Sequence, residues 1–134
     1  MRGIVEKFGE KFVAEILDIL ESYMERATTL KQSIAITKAI YNMAYASPTK
    51  LITDLRVRFL TVVDGNISHE SDIMRSLTAK IFNTVLQKTF EPNFMISVID
   101  KHFFKKLHHF ISMDQIKEAD LLINTLEEIL RDQP

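Results

Sequence analysis

Apolar residues recur along this chain at intervals of three and four, and that spacing predicts a succession of helices. Val13, Ile16, Leu17, Leu20 and Met24 make one stripe between Glu10 and about Arg26, with the acidic Glu15, Asp18, Glu21 and Glu25 mostly off it. Upstream, Ile4, Val5 and Phe8 are spaced as the last turns of a helix whose beginning is missing, and Gly9 is a natural stop. Thr28 and Thr29 break the first full helix. Thr29 with Gln32 three residues on fits a capping box for a second helix, which runs to about Ala46 and buries Ile36, Ala39, Ile40, Met43 and Ala44. Ser47-Pro48 marks the next start. A third helix over about 48–64 buries Leu51, Ile52, Leu55, Phe59 and Val62, and stops at Gly65. Ser68 is placed to cap a fourth over about 69–89, with Glu70 in its first turn. Glu91-Pro92-Asn93 opens a fifth that continues to about Ser112. Asp114 is placed to cap the last, which ends near Asp132 with Leu122, Leu126, Ile129 and Leu130 inside. No stretch alternates strictly enough to predict a strand.

The fourth helix organises the rest. In Met74-Arg-Ser-Leu-Thr-Ala-Lys-Ile-Phe-Asn-Thr-Val85 the small Ala79 allows close approach of a neighbouring helix, and Leu77, Ile81, Phe82 and Val85 supply one apolar side. This is how the second helix of a HEAT repeat reads, with Arg75, Ala79 and Phe82 as its signature and Arg75 bonding a neighbouring repeat. Such a helix needs a partner before it and another repeat beside it. Matching helices start about 38–44 residues apart, the period of HEAT-type hairpins. The expected fold is therefore all-α: an α-α superhelix of about three HEAT-type (ARM-like) hairpins, over 1–46, 47–89 and 91–132. A compact six-helix bundle would carry the same stripes. The start, without a polar cap, suggests a piece of a longer solenoid, and Met1-Arg2 is open to being an added rather than a native start.

Composition narrows the function classes. The 134 residues fit one domain, 46% hydrophobic and 26% charged, with a net charge of −1 that exerts no global pull on nucleic acid or anionic membrane. Without cysteine there is no disulfide, thiolate zinc site or thiol nucleophile. Three scattered glycines do not make a phosphate-cradling loop. No apolar run approaches the ~18 residues that cross a bilayer, and the N-terminus has no signal-peptide core. A cytoplasmic or nuclear setting is expected, with no membrane contact.

The most chemical-looking stretch is Lys101-His-Phe-Phe-Lys-Lys-Leu-His-His-Phe110. As a metal site it fails. His102 and His109 lie about 10 Å apart along a helix, and His108 and His109 point about 100° apart, so neither pair has chelating spacing. As a phosphate- or partner-binding ridge it does better. Lys101, Lys105 and His108 form one stripe and His102, Lys106 and His109 the next, while Phe103, Phe104, Leu107 and Ile111 point into the core. Lysines so placed neutralise phosphates without reading bases, so no sequence-specific nucleic acid is implied. The bland alternative is a solvated face balanced by Glu118, Asp120, Glu127 and Glu128 of the last helix. His69, Glu70 and Asp72 read as the charged first turn of a helix rather than an acid–base set. Tyr41 and Tyr45 make an aromatic patch or pack between hairpins. No nucleophile elbow occurs. No enzyme, cofactor or metal is expected.

Three passages resemble a known family, the large ribosome-associated HEAT-repeat activators of general amino-acid control. Ile4-Val-Glu-Lys-Phe-Gly-Glu-Lys-Phe-Val-Ala-Glu-Ile-Leu-Asp-Ile-Leu-Glu resembles the family's Leu-Val-x-Lys-Leu-Gly-Glu-Lys followed by an apolar helix. Leu30-Lys-Gln-Ser-Ile-Ala-Ile resembles its Glu-Arg-Gln-Gly-Val, and Met74-Arg-Ser-Leu-Thr-Ala-Lys-Ile-Phe its Val-Arg-x-Ala-Ala-x-Lys-x-Phe. The spacing agrees over roughly residues 3–89, while Lys31, Leu77 and Thr78 depart from the pattern. The resemblance implies a non-catalytic cytoplasmic scaffold on translating ribosomes that helps activate the kinase of initiation factor two, together with an ABC-type ATPase partner. A different class, an unrelated transport or cytoskeletal HEAT adaptor that binds a peptide helix, would expose apolar residues such as Tyr41 and Tyr45 on its second-helix face.

Overall fold

Why each helix starts where it does is set locally by a few side chains. The computed structural model describes the backbone of residues 2–133 and the side chains of residues 9–133, so the expectations for the side chains of Ile4, Val5 and Phe8 and for Met1-Arg2 lie outside it. Among the described residues all regular structure is helical. Helix α1 spans Arg2–Arg26 and is interrupted at Gly9 (φ 72°, ψ −158°), a backbone region essentially open to glycine alone. The helix resumes at once rather than stopping. Helix α2, Leu30–Ala46, starts on the expected capping box: Thr29 Oγ1 accepts from the Gln32 amide and the Gln32 side chain from the Thr29 amide.

Helix α3 (Thr49–Val63) ends before Gly65, in a 3-10 turn over Asp64–Asn66. Helix α4 runs over Asp72–Thr89, and its cap is Ser71, whose Oγ accepts from the Met74 amide at 3.3 Å, not Ser68. Glu70 therefore lies outside the helix. The stretch expected as one fifth helix is α5 (Pro92–Val98), a π turn (Ile99–Phe104) and α6 (Lys105–Ser112). The π turn is closed by the Lys105 amide donating to Asp100 O, one residue longer than an α-helical bond. Asp114 does not cap α7 (Ile116–Arg131). At φ 59° it closes α6 instead, the Gln115 amide donating to Phe110 O at 2.7 Å.

Packing follows the apolar stripes. Helix α1 lies on α2 and α3, α2 on α4, and α6 on α7. Helix α4 packs against α2, α3 and α7. Its position explains its burial: Met74, Leu77, Ala79, Ile81, Phe82, Val85 and Leu86 are all inside. Each fully buried Leu, Ile, Val or Phe contributes about 1.5–3 kcal/mol by leaving water. The core residues expected for α3 (Leu51, Ile52, Leu55, Phe59, Val62) are buried. Three others are not where the spacing put them. Leu130, Phe104 and Ile111 are about half exposed, for reasons that lie in the register of the last hairpin.

Candidate functional site

The π turn decides which of the basic residues can meet a partner. One extra residue in the turn advances the side chains around the axis, so His102 and Phe103 face the core and Phe104 faces out. His102 is 6% exposed. Its ring meets Phe82 edge-on at 5.4 Å between centroids, and Phe103 meets the same Phe82 at 5.6 Å. The polar edge of His102 is satisfied: Nδ1 donates to Asp64 Oδ1 at 2.5 Å. Lys106, one turn on, gives its Nζ to Asp64 Oδ2 at 2.5 Å and to the Asp64 carbonyl at 3.1 Å. Burial works to raise the Asp64 carboxyl pKa, but the hydrogen bonds from His102 and Lys106, with their charges, outweigh it and hold the group below its ordinary value.

The six expected ridge residues therefore divide. His102 and Lys106 point to Asp64 and tie the third hairpin to the end of α3. Lys101, Lys105, His108 and His109 are exposed, Lys105 with Asp100 at 3.9 Å as a loose neighbour. The carboxylates that meet the basic stretch are Asp64 and Asp100, rather than those of the last helix. Asp64 was missed by sequence reasoning, because Asp-Gly-Asn reads only as a helix stop.

The residues of the fourth helix sit at its centre. Arg75 is 6% exposed, and its guanidinium forks over four acceptors. Nη1 donates to the carbonyls of His69 (2.7 Å) and Glu70 (3.0 Å), Nη2 pairs with Asp72, and Nε donates to Asn124 Oδ1 of α7 at 3.3 Å. Ala79 and Phe82 are buried. His69, Glu70 and Asp72 do not converge as an acid–base set. His69 Nδ1 accepts from the Ser71 amide, and Glu70 pairs with Lys117 at 2.8 Å.

A second surface lies along α2 and α4. Tyr41 and Tyr45 pack tilted, 6.1 Å apart, and Tyr45 is 69% exposed. They line a shallow groove of about 320 Å³ with Lys80, Thr84, Gln87 and Lys88. Lys88 was also missed by the sequence. Its ammonium caps the end of α2, donating to Ala44 O (2.9 Å), Tyr45 O (2.6 Å) and Ser47 O (2.6 Å), and lies 5.8 Å from the Tyr45 ring.

Among the described residues no three His, Asp or Glu side chains converge as a metal site, and no helix is long and apolar enough to cross a membrane. No protein-family model matches the chain, and neither curated proteins nor solved structures give a significant match.

Proposed function

We propose that this chain is a non-catalytic scaffold of three HEAT-type hairpins, α1–α2, α3–α4 and α5–α7, whose exposed basic residues on the third hairpin contact a partner. One observation supports the reading: α4 packs against both α2 and α7, and α1 against α3, contacts that a row of hairpins with their second helices side by side would make. Arg75 supports it by bridging the second hairpin to Asn124 of the third. With the resemblance of residues 3–89 to the ribosome-associated activators, the favoured partner is the ribosome, in a cytoplasmic translation-control protein that also engages a kinase and an ABC-type ATPase.

The phosphate-facing residues are Lys101 and Lys105, because Lys106 is held by Asp64. Ribosome co-sedimentation is expected to be salt-sensitive and lost in Lys101→Glu/Lys105→Glu. Binding that survives this double variant, or none at any salt, overturns the ribosome contact. The exposed Tyr45 and its groove favour a second reading, an adaptor that binds a partner helix along α2 and α4. There, Tyr45→Ala rather than the lysine variants abolishes capture.

A further inference from the structure

At the corner where α4 hands over to α5, a pocket of about 540 Å³ opens against the end of α7. Leu86, Phe90, Pro92 and Met95 make its apolar wall. Phe90 stands in the left-handed region (φ 47°), uncommon for an aromatic residue, and is 77% exposed at this corner. The polar atoms that meet the pocket are mainly acceptors. Glu91 and Asp132 bring carboxylates, and no Lys, Arg or His is among the lining residues. Gln87 gives its amide nitrogen to Asp132 O (3.0 Å) and Gln133 its own to Asn83 Oδ1 (2.5 Å), which leaves both side-chain oxygens. The Phe90 amide takes Leu86 O, and the α4 carbonyls after it have no helical amide left. Helix α5 also starts here, but on Pro92, which has no amide proton to offer an anion.

We propose that this pocket takes a basic side chain of a partner protein, an arginine or lysine flanked by an apolar residue. The chain's own cations settle in the same surroundings at two places nearby. Lys88 closes the end of α2, its ammonium on the Ala44, Tyr45 and Ser47 carbonyls and 5.8 Å from the Tyr45 ring. Arg56 lies 4.5 Å from the centre of the Phe94 ring while it pairs with Glu91. The pocket assembles the same three groups: a helix C-terminus, an aromatic ring and a carboxylate. Arg56 already takes one oxygen of Glu91, so Asp132 is the carboxylate with most to give. Among the described residues its side chain receives only the Asn83 amide, at 3.3 Å. Arg131, next to it on α7, and Lys88 on α4 stay out of the lining. An anion entering here would meet acceptors and no donor to satisfy it. The site goes beyond the scaffold reading, since none of Lys101, Lys105 and Tyr45 lines it and either idea can fail alone.

The probe is the blocked tripeptide acetyl-Leu-Arg-Leu-amide, titrated into the full chain and followed by NMR at the Met95 methyl and the Gln87 and Gln133 side-chain amides. Saturable shifts at these groups are expected at about millimolar peptide. Citrulline in place of the peptide's arginine keeps the shape and loses the charge, and is expected to weaken binding about tenfold. Asp132→Asn should weaken it by about the same factor while keeping an oxygen for the Asn83 amide. Phe90→Gly removes the ring at a backbone angle that glycine adopts without strain, and is expected to lose binding without losing the fold. Unchanged circular dichroism checks the fold of both variants. No shift at these groups, equal binding of the citrulline peptide, or variants that bind like the wild type each overturn the proposal. Phenethylamine binding as tightly as the peptide overturns it too, and assigns the pocket to a free amine.

Discussion

Asp64 shows how a single carboxylate can hold a segment whose own sequence gives no anchor. It is the first residue of the 3-10 turn that follows α3, and it gathers His102 from the π turn and Lys106 from α6. Removing it leaves the buried imidazole edge of His102 without its acceptor, while Lys106 keeps the Asp64 carbonyl, and one orphaned buried group costs about 1–3 kcal/mol. Asp64→Ala is therefore expected to lower stability by about 2 kcal/mol, read by urea denaturation at neutral pH. The pH dependence has a definite sign. The folded-state pKa of Asp64 lies below its ordinary value of 3.8, so its contribution is fully present above that value and disappears as pH falls through the lower folded value. The stabilisation that Asp64 adds over Asp64→Ala should be retained at pH 5, above the carboxylate pKa of about 3.9. Below pH 4 it should narrow as the carboxyl is protonated. A difference that widens on acidification would contradict this assignment.

At the scale of the element, the helices were legible in the sequence where a cap and a stripe agreed. Thr29 with Gln32 announced α2, and Leu51, Ile52, Leu55 and Phe59 fell on the buried side of α3. Legibility failed where two signals competed. Ser68 and Ser71 both precede an acidic residue and an apolar run, and it is Ser71 whose side chain accepts from the Met74 amide. The π turn is invisible to a 3.6-residue count, because its extra residue changes the phase without changing composition. That one phase error moved His102 inward and Phe104 outward, and His102, with Lys106 one turn on, is turned to Asp64 rather than to a partner. Leu130 fits the helical stripe of α7, but it lies on the edge away from α4, where no described helix covers it. The cap assignment is directly measurable. Ser71→Ala removes the acceptor for the Met74 amide and is expected to cost about 1 kcal/mol. Ser68→Ala makes no such loss and should stay within about 0.5 kcal/mol in the same thermal melts. Equal losses at the two positions would return the start of α4 to Ser68.

For the whole molecule, the issue is whether stability is shared by all the helices or passed from one hairpin to the next. A row of hairpins is coupled by nearest-neighbour contacts, so weakening one junction loosens the hairpin beyond it more than the hairpins before it. A single bundle loses protection everywhere together. Arg75 is the residue on which the two arrangements can be separated, since it fastens the loop ahead of α4 and Asn124 of α7 with one guanidinium. Lysine keeps the charge but not the fork: one ammonium on a flexible stem does not reach the carbonyls of His69 and Glu70 and the amide of Asn124 together. Arg75→Lys is expected to cost about 1–2 kcal/mol overall, the scale of one or two charged hydrogen bonds. Native-state hydrogen exchange should show where that loss falls. In a row, amides of α6 and α7 exchange markedly faster in the variant while those of α1 and α2 change little. Uniform acceleration across α1 to α7 would mean one cooperative bundle.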